Sequence, residues 1–169
     1  MLFSISVVGC SSNISSKDIN EMKNIWNEVV RDGNAFPQIE ELTEVSAANF
    51  FDEQSFCGVA KDSESNIIVG LYILHPNNVG RCGHISNASF AVSSSVRGYG
   101  VGEILVKHCI EQARKLGFKI LQFNAVVKSN TAALKLYKKL GFIQLGIIPN
   151  GFLLPNGTYE DIIPHYISL

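Results

Sequence analysis

Residues Phe3 to Val8 form a short apolar run that predicts a first strand, and the period then changes. Ile19, Met22, Ile25/Trp26 and Val29/Val30 recur at helical spacing. Ser15, Ser16 and Asp18 precede them as cap candidates, with Glu21 three residues after Asp18. Asp32-Gly33-Asn34-Ala35-Phe36-Pro37 breaks that helix, and Ile39, Leu42, Val45 and Phe50 predict a second one. Strands follow over Phe56 to Lys61 and Ile67 to His75, joined by the polar turn Asp62 to Asn66. Pro76 to Gly80 is another turn, leading into a strand over His84 to Val92.

From Gly100 the helical period returns with Val101, Leu105, Cys109, Ala113 and Leu116, and Gly117 stops it. Phe118 to Val127 is apolar and β-rich, which predicts a buried strand. Ser129-Asn130 caps a helix carrying Ala133, Leu136, Tyr137 and Leu140, ended by Gly141. Strands over Phe142 to Ile148 and Tyr159 to Ile167, around Pro155-Asn156-Gly157, close the chain. The order β-α-α-β-β-β-α-β-α-β-β predicts a mixed α/β fold in one domain over residues 1–169. Its sheet is expected to be largely antiparallel, of about seven strands with some parallel pairing, flanked by about four helices.

Composition narrows the function classes. A length of 169 residues suits one core, and 46% hydrophobic residues exclude general disorder. Fourteen Lys and Arg against 15 Asp and Glu, net −1, argue against a nucleic-acid partner, which needs a basic surface. No apolar run approaches the ~20 residues of a membrane span. Cys10, Cys57, Cys82 and Cys109 lie far apart without a C-x-x-C. They read as reduced thiols of a cytoplasmic protein, with neither a disulfide framework nor a metal site. The stretch Met1 to Cys10 faintly resembles a lipoprotein signal but lacks a positive start, so the strand is the better reading.

The sharpest chemical feature is Arg97-Gly98-Tyr99-Gly100-Val101-Gly102, between a predicted strand and a strong helix. Glycines let backbone N–H groups approach an anion, and the helix N-terminus adds its dipole, which suits a phosphate or pyrophosphate. A Walker loop would end in Gly-Lys-Ser/Thr, whereas Gly102-Glu103-Ile104 stands here. The G-x-G-x-x-G dinucleotide fingerprint also fails, its third glycine falling on Glu103 or Leu105.

The R-x-x-G-x-G pattern that remains resembles the GCN5-related N-acetyltransferase superfamily. Asn130-Thr-Ala-Ala-Leu-Lys-Leu-Tyr137-Lys-Lys-Leu-Gly141-Phe142 is similar to its second signature, N-x-x-A-x-x-L-Y-x-x-x-G-F, and the resemblance covers residues 56 to 148. It implies acetyl-CoA as cosubstrate and no metal. Arg97, Gly98, Gly100 and Gly102 would hold its pyrophosphate, Phe90 and Val92 would contribute main-chain contacts, and Asn130 would also face the cofactor. Pro76 to Phe90, with Phe123-Asn124, resembles fungal N-acetyltransferases that detoxify proline analogues such as azetidine-2-carboxylate. That narrower likeness implies roles for Asn87 in substrate binding and Asn124 in catalysis.

Acetyl transfer needs a neutral amine, a polarised thioester carbonyl and a proton for the leaving thiolate. A bulged or splayed strand near Ala88 to Val92 would free a backbone N–H for the carbonyl, and Asn124 would add an amide. Asparagine is disfavoured in central strands, although Asn87 and Asn124 could also serve only to satisfy buried backbone. Tyr137 is the candidate general acid, or else a core tyrosine beside Leu136 and Leu140. No general base is identified among His84, Glu40, Glu41 and Glu44. Phe36, Phe152, Leu153 and Leu154 would give the acceptor site apolar walls, with Arg31, Arg81 and the asparagines as donors to a substrate carboxylate. The expected partner is a small-molecule amine, with no nucleic acid or membrane and room for a homodimer. Acetylation of a protein N-terminus and a non-catalytic acyl-CoA-binding regulator stay open as alternatives.

Overall fold

The computed structural model describes the backbone of residues 3–8 and all atoms of residues 14–169; Cys10 and the stretch around it lie outside them. In chain order the elements are β1 (Phe3–Val8), α1 (Ser16–Asp32), α2 (Glu44–Asp52), β2 (Phe56–Asp62), β3 (Ile68–Pro76) and β4 (Ile85–Val92). After them come α3 (Val101–Lys115), β5 (Ile120–Phe123), α4 (Thr131–Lys139), β6 (Ile143–Gln144), β7 (Ile148–Leu153), β8 (Tyr159–Ile162) and β9 (His165–Ser168). Seven strands form one sheet in the order β1-β2-β3-β4-β5-β9-β6, and β7 and β8 pair separately. Only β4 and β5 run parallel in the large sheet. The mixed, largely antiparallel α/β architecture expected from the sequence is therefore present.

The helices cover both faces. On one side Val101, Leu105, Cys109 and Ala113 of α3 pack with Ala88, Leu121 and Phe123, and α4 adds Leu136 and Tyr137. On the other, Met22, Trp26 and Val30 of α1 and Phe51 of α2 pack with Val59, Leu71 and Ile73. The crossing between α1 and α2 is pinned by the buried Asn27, whose Nδ2 donates to the Leu42 carbonyl (2.9 Å) and whose Oδ1 accepts from the Leu42 N–H (2.8 Å). Trp26 stacks on Phe36 at 4.2 Å between ring centroids, fixing that loop over the sheet.

Several boundaries differ from the sequence pattern. Ser15 caps α1 by accepting from the Asp18 N–H (3.1 Å), whereas Glu21 reaches across to the Ile68 N–H (2.9 Å). The second helix starts only at Glu44, capped by Thr43, so Glu40 and Glu41 lie in the preceding loop. The strand expected over 118–127 pairs only as far as Phe123, which leaves Asn124 beyond its end. The last two expected strands become four: Gly146, at positive φ, lies between β6 and β7, and Ile163-Pro164 separates β8 from β9.

The half-buried His108 and the buried His165 tie stability to pH. His108 accepts or donates at Nδ1 with the Tyr72 hydroxyl (2.9 Å), and His165 Nδ1 donates to the Ile163 carbonyl (2.7 Å). Burial lowers the pKa of both below the ordinary histidine value. The unfolded chain thus binds more protons as pH falls through about 6.5, and stability drops from there until the folded-state values are passed. Urea midpoints taken from pH 8 to pH 5 should fall, and a His108→Gln variant should show a shallower fall.

Candidate active site

Beyond residue 87 the sheet opens. β4 pairs with β5 only from Ile85 to Asn87, opposite Ile120 to Gln122, although β4 itself continues to Val92. The other edge of β4 keeps an unbroken register with β3. The Ile85 carbonyl accepts from Asn77 N–H (2.7 Å) and the Ser93 N–H donates to the Val69 carbonyl (2.9 Å). Odd-numbered residues therefore bond to β3, and Phe90 and Val92 turn their backbone groups into the gap. The Val92 carbonyl accordingly accepts from Arg97 Nε (3.3 Å). The opening is a splay between strands, with no bulge in β4.

Side chains from both faces of the sheet meet in this gap. A cavity of about 320 Å³ is lined by Phe36, Pro37 and Gln38 of the α1–α2 loop, His75 of β3, Asn87 and Phe90 of β4, and Asn124 and Tyr137. A neighbouring cavity of about 400 Å³ shares Ala35, Phe90 and Asn130 with it and extends to Val92, Arg97 and Asp32. Among the residues lining the first cavity the titratable side chains are His75 and Tyr137.

The glycine loop ends the second cavity's side of β4. Gly98 (φ +86°) and Gly100 (φ +83°) are left-handed, and a Cβ on either would meet nothing within 4 Å. Gly100 is the N-cap of α3 without any side-chain cap, so the first N–H groups of that helix are open to a ligand. Gly102 lies in the first turn, close to Leu136 and Val92. Arg97 is held by Asp32, Nη2 to Oδ2 at 2.9 Å, both half exposed. Glu103 ties α3 to α4 through Lys139 (2.7 Å) and takes Lys107 (2.8 Å), and hydrogen bonds from these two lysines bring its pKa to about 2.

A chain of amides runs beside the first cavity, which Asn87 and Asn124 of the chain line. The Asn77 Oδ1 accepts from Asn124 Nδ2 (2.7 Å) and from Asn87 Nδ2 (3.2 Å), and Asn124 Oδ1 accepts from Gln122 Nε2 (2.9 Å). With its Nδ2 so engaged, Asn87 leaves its Oδ1 for the cavity. Asn77 was not foreseen, because an asparagine after Pro76 reads as a turn residue. Asn130 caps α4, accepting from the Ala133 N–H (3.2 Å), and keeps its Nδ2 free on the cleft side.

Tyr137 projects from α4 between Phe123 (4.6 Å) and Phe142 (5.4 Å), and its hydroxyl has no hydrogen-bond partner among the described residues. Burial raises its pKa above the ordinary phenol value. Of the acids weighed as bases, Glu41 is paired with Arg31 (2.6 Å), and neither it, Glu40, Glu44 nor His84 lines the cavity. Arg31 and Arg81 are likewise absent from it. Phe152, Leu153 and Leu154 line a separate cavity of about 590 Å³ that shares Phe36 to Gln38.

Residues 20–142 match the Acetyltransferase (GNAT) family. The chain belongs to this family. It is an N-acetyltransferase by that membership and by its relatives. The chain is 28% identical to N-acetyltransferase aca1 of Schizosaccharomyces pombe, over 93% of this chain and 82% of that one. A GCN5-related N-acetyltransferase from Kribbella flavida superposes with a TM-score of 0.87 at 30% identity, covering 99% of this chain and 98% of the other. A phosphinothricin acetyltransferase from Sinorhizobium meliloti, in complex with AcCoA, superposes at 0.88 with 19% identity over 100% and 89% of the two chains, which shows a shared fold. No helix among the described residues is long and apolar enough to cross a membrane.

Proposed function

We propose that residues 1–169 act as one acetyltransferase domain that moves an acetyl group directly from acetyl-CoA to the amine of a small molecule, an amino or imino acid or a toxic analogue. The observation that carries this reading is the β4–β5 gap, with a free main-chain edge on one side and an uncharged cavity beside it. The pyrophosphate would sit on the N–H groups of Gly98, Gly100, Gly102 and the start of α3, with Arg97 and Asn130 at its margins. Pantetheine would pair along Phe90 and Val92. The Sinorhizobium meliloti relative, which has this fold and carries AcCoA, supports the cosubstrate.

The acceptor reading follows from size and charge. A cavity of about 320 Å³ without Asp, Glu, Lys or Arg in its walls suits a small, compact amine better than a polycation. A substrate carboxylate would be held by N–H donors, Asn124, Gln38 and backbone amides, in place of the arginines weighed from sequence. We place the activity in the cytoplasm. We also assign the exposed side chains of Ile143, Leu145, Ile147 and Ile148, beside the short edge strand β6, as the surface a second copy would cover.

The test is acetyl-CoA-dependent release of CoA against free amino and imino acids, their methyl esters, polyamines and short peptides, with an enzyme-only blank for the protein's own thiols. Turnover of a free imino or amino acid that is lost on esterification is expected. Turnover of peptides or polyamines alone would overturn the small-acid reading.

A further inference from the structure

The sequence yields no general base for this reaction, and the cavity offers one group that can serve. His75 is the last-but-one residue of β3 and stands directly opposite Asn87 in the antiparallel register. Residues opposed in such a pair share a face of the sheet, so His75 and Asn87 point together toward the α1–α2 loop. Both line the cavity with Phe36 and Gln38. The His75 Nδ1 lies 2.9 Å from the Pro76 carbonyl oxygen. A carbonyl can only accept, so Nδ1 carries the hydrogen and Nε2 of the neutral ring keeps its lone pair. The ring is thereby fixed in the tautomer that a general base requires.

Among the described residues that line the cavity, no competing base faces it. β4 contributes Ser86, Asn87 and Ser89 beside it, and β2 begins at Phe56, followed by the buried Cys57. The α1–α2 loop brings Ala35 to Gln38, without charge, and across the gap the titratable group is Tyr137. Asn87 places its free Oδ1 on the same face, where it would accept one N–H of the amine.

We infer that His75 is the general base, taking the amine proton at Nε2 as the nitrogen attacks. The amine N–C bond forms, the C–S bond of the thioester breaks, and the amine proton passes to His75. The imidazolium then returns the proton to solvent, from which the released thiolate takes one. This inference rests on the acetyl-transfer reading above, but it holds for any small amine the cavity accepts.

The experiment compares wild type with His75→Gln and His75→Ala, using whichever amine the wild type turns over best. kcat/KM for the amine is expected to fall by about 10²- to 10⁴-fold in both variants, the range for loss of a general base. Calorimetric Kd for acetyl-CoA should stay unchanged, because β3 does not border the glycine loop's cavity. Added imidazole should restore part of the rate in His75→Ala. Variants that keep wild-type kcat/KM would overturn the assignment, as would variants that lose activity together with acetyl-CoA binding and show no rescue. A wild type that acetylates peptides but no small acid would overturn the acceptor reading while leaving this comparison intact. A wild type that transfers acetyl to no amine would overturn both.

Discussion

Replacing Tyr137 with Phe is expected to lower kcat by about 10²- to 10³-fold, the usual loss when one donor aimed at developing charge is removed. The ring itself should stay in place, because Phe123, Phe142 and His165 pack around it at centroid distances of 4.6, 5.4 and 5.7 Å and none of them bonds the hydroxyl. The change therefore subtracts one O–H from the cleft and little else. Burial raises the phenol pKa, so the group keeps its proton across the working range. Its proposed contribution is then a hydrogen bond to the departing sulfur, which the low-dielectric surroundings would strengthen. The rate ratio of wild type to Tyr137→Phe should accordingly stay constant from about pH 6 to pH 9, below the ordinary phenol value of ~10. Acetyl-CoA affinity should not change. A Tyr137→Phe enzyme with wild-type kcat would mean that this residue only fills the core between α4 and β5.

Gly100→Val should raise the Kd for acetyl-CoA roughly 10- to 100-fold, as expected when one charge-assisted hydrogen bond worth about 1.5–3 kcal/mol is lost. At φ +83° a β-branched residue is strained by about 1–2 kcal/mol, and the loop would shift to relieve it. That shift moves the uncapped start of α3, whose Ile104 N–H already bonds the Gly100 carbonyl (3.2 Å), away from the position that meets a pyrophosphate. A Cβ at this position meets nothing within 4 Å, so folding should survive. Gly117 supplies the control. It has φ +87°, equally open space, and sits past the other end of α3. Gly117→Val should cost similar stability by urea titration while leaving the Kd for acetyl-CoA at the wild-type value. Equal Kd changes in both variants would show a general effect of destabilising α3 in place of a local anion site.

Much of this was legible along the chain because local signals agree with the fold. The R-x-x-G-x-G loop, the α4 signature from Asn130 to Phe142, and the helix stops at Gly117 and Gly141 all depend on nearby residues. Where the reading failed, partners distant in sequence decide the outcome. Ala125, Val126 and Val127 look like strand because they are half or fully buried, but they wall the cleft and do not extend the pairing of β5. Glu21 resembles a capping acid, yet it satisfies a strand N–H 47 residues away. Asn77 reads only as a turn residue and His75 only as the end of a strand. Their meaning comes from the register of β3 on β4 and from Asn124, which lies on a third segment. Tyr137 was ambiguous from spacing, and its geometry supports both a packed ring and an exposed hydroxyl.

The gap between β4 and β5 is proposed to hold acetyl-CoA. Residue-resolved amide hydrogen exchange, measured with and without CoA, tests it most directly. New protection is expected at the Phe90 and Val92 amides and across Gly98 to Gly102, while Ser89 and Ala91, already bonded to β3, change little. Protection that appears elsewhere and leaves Phe90, Val92 and the glycine loop exchanging as before would contradict it.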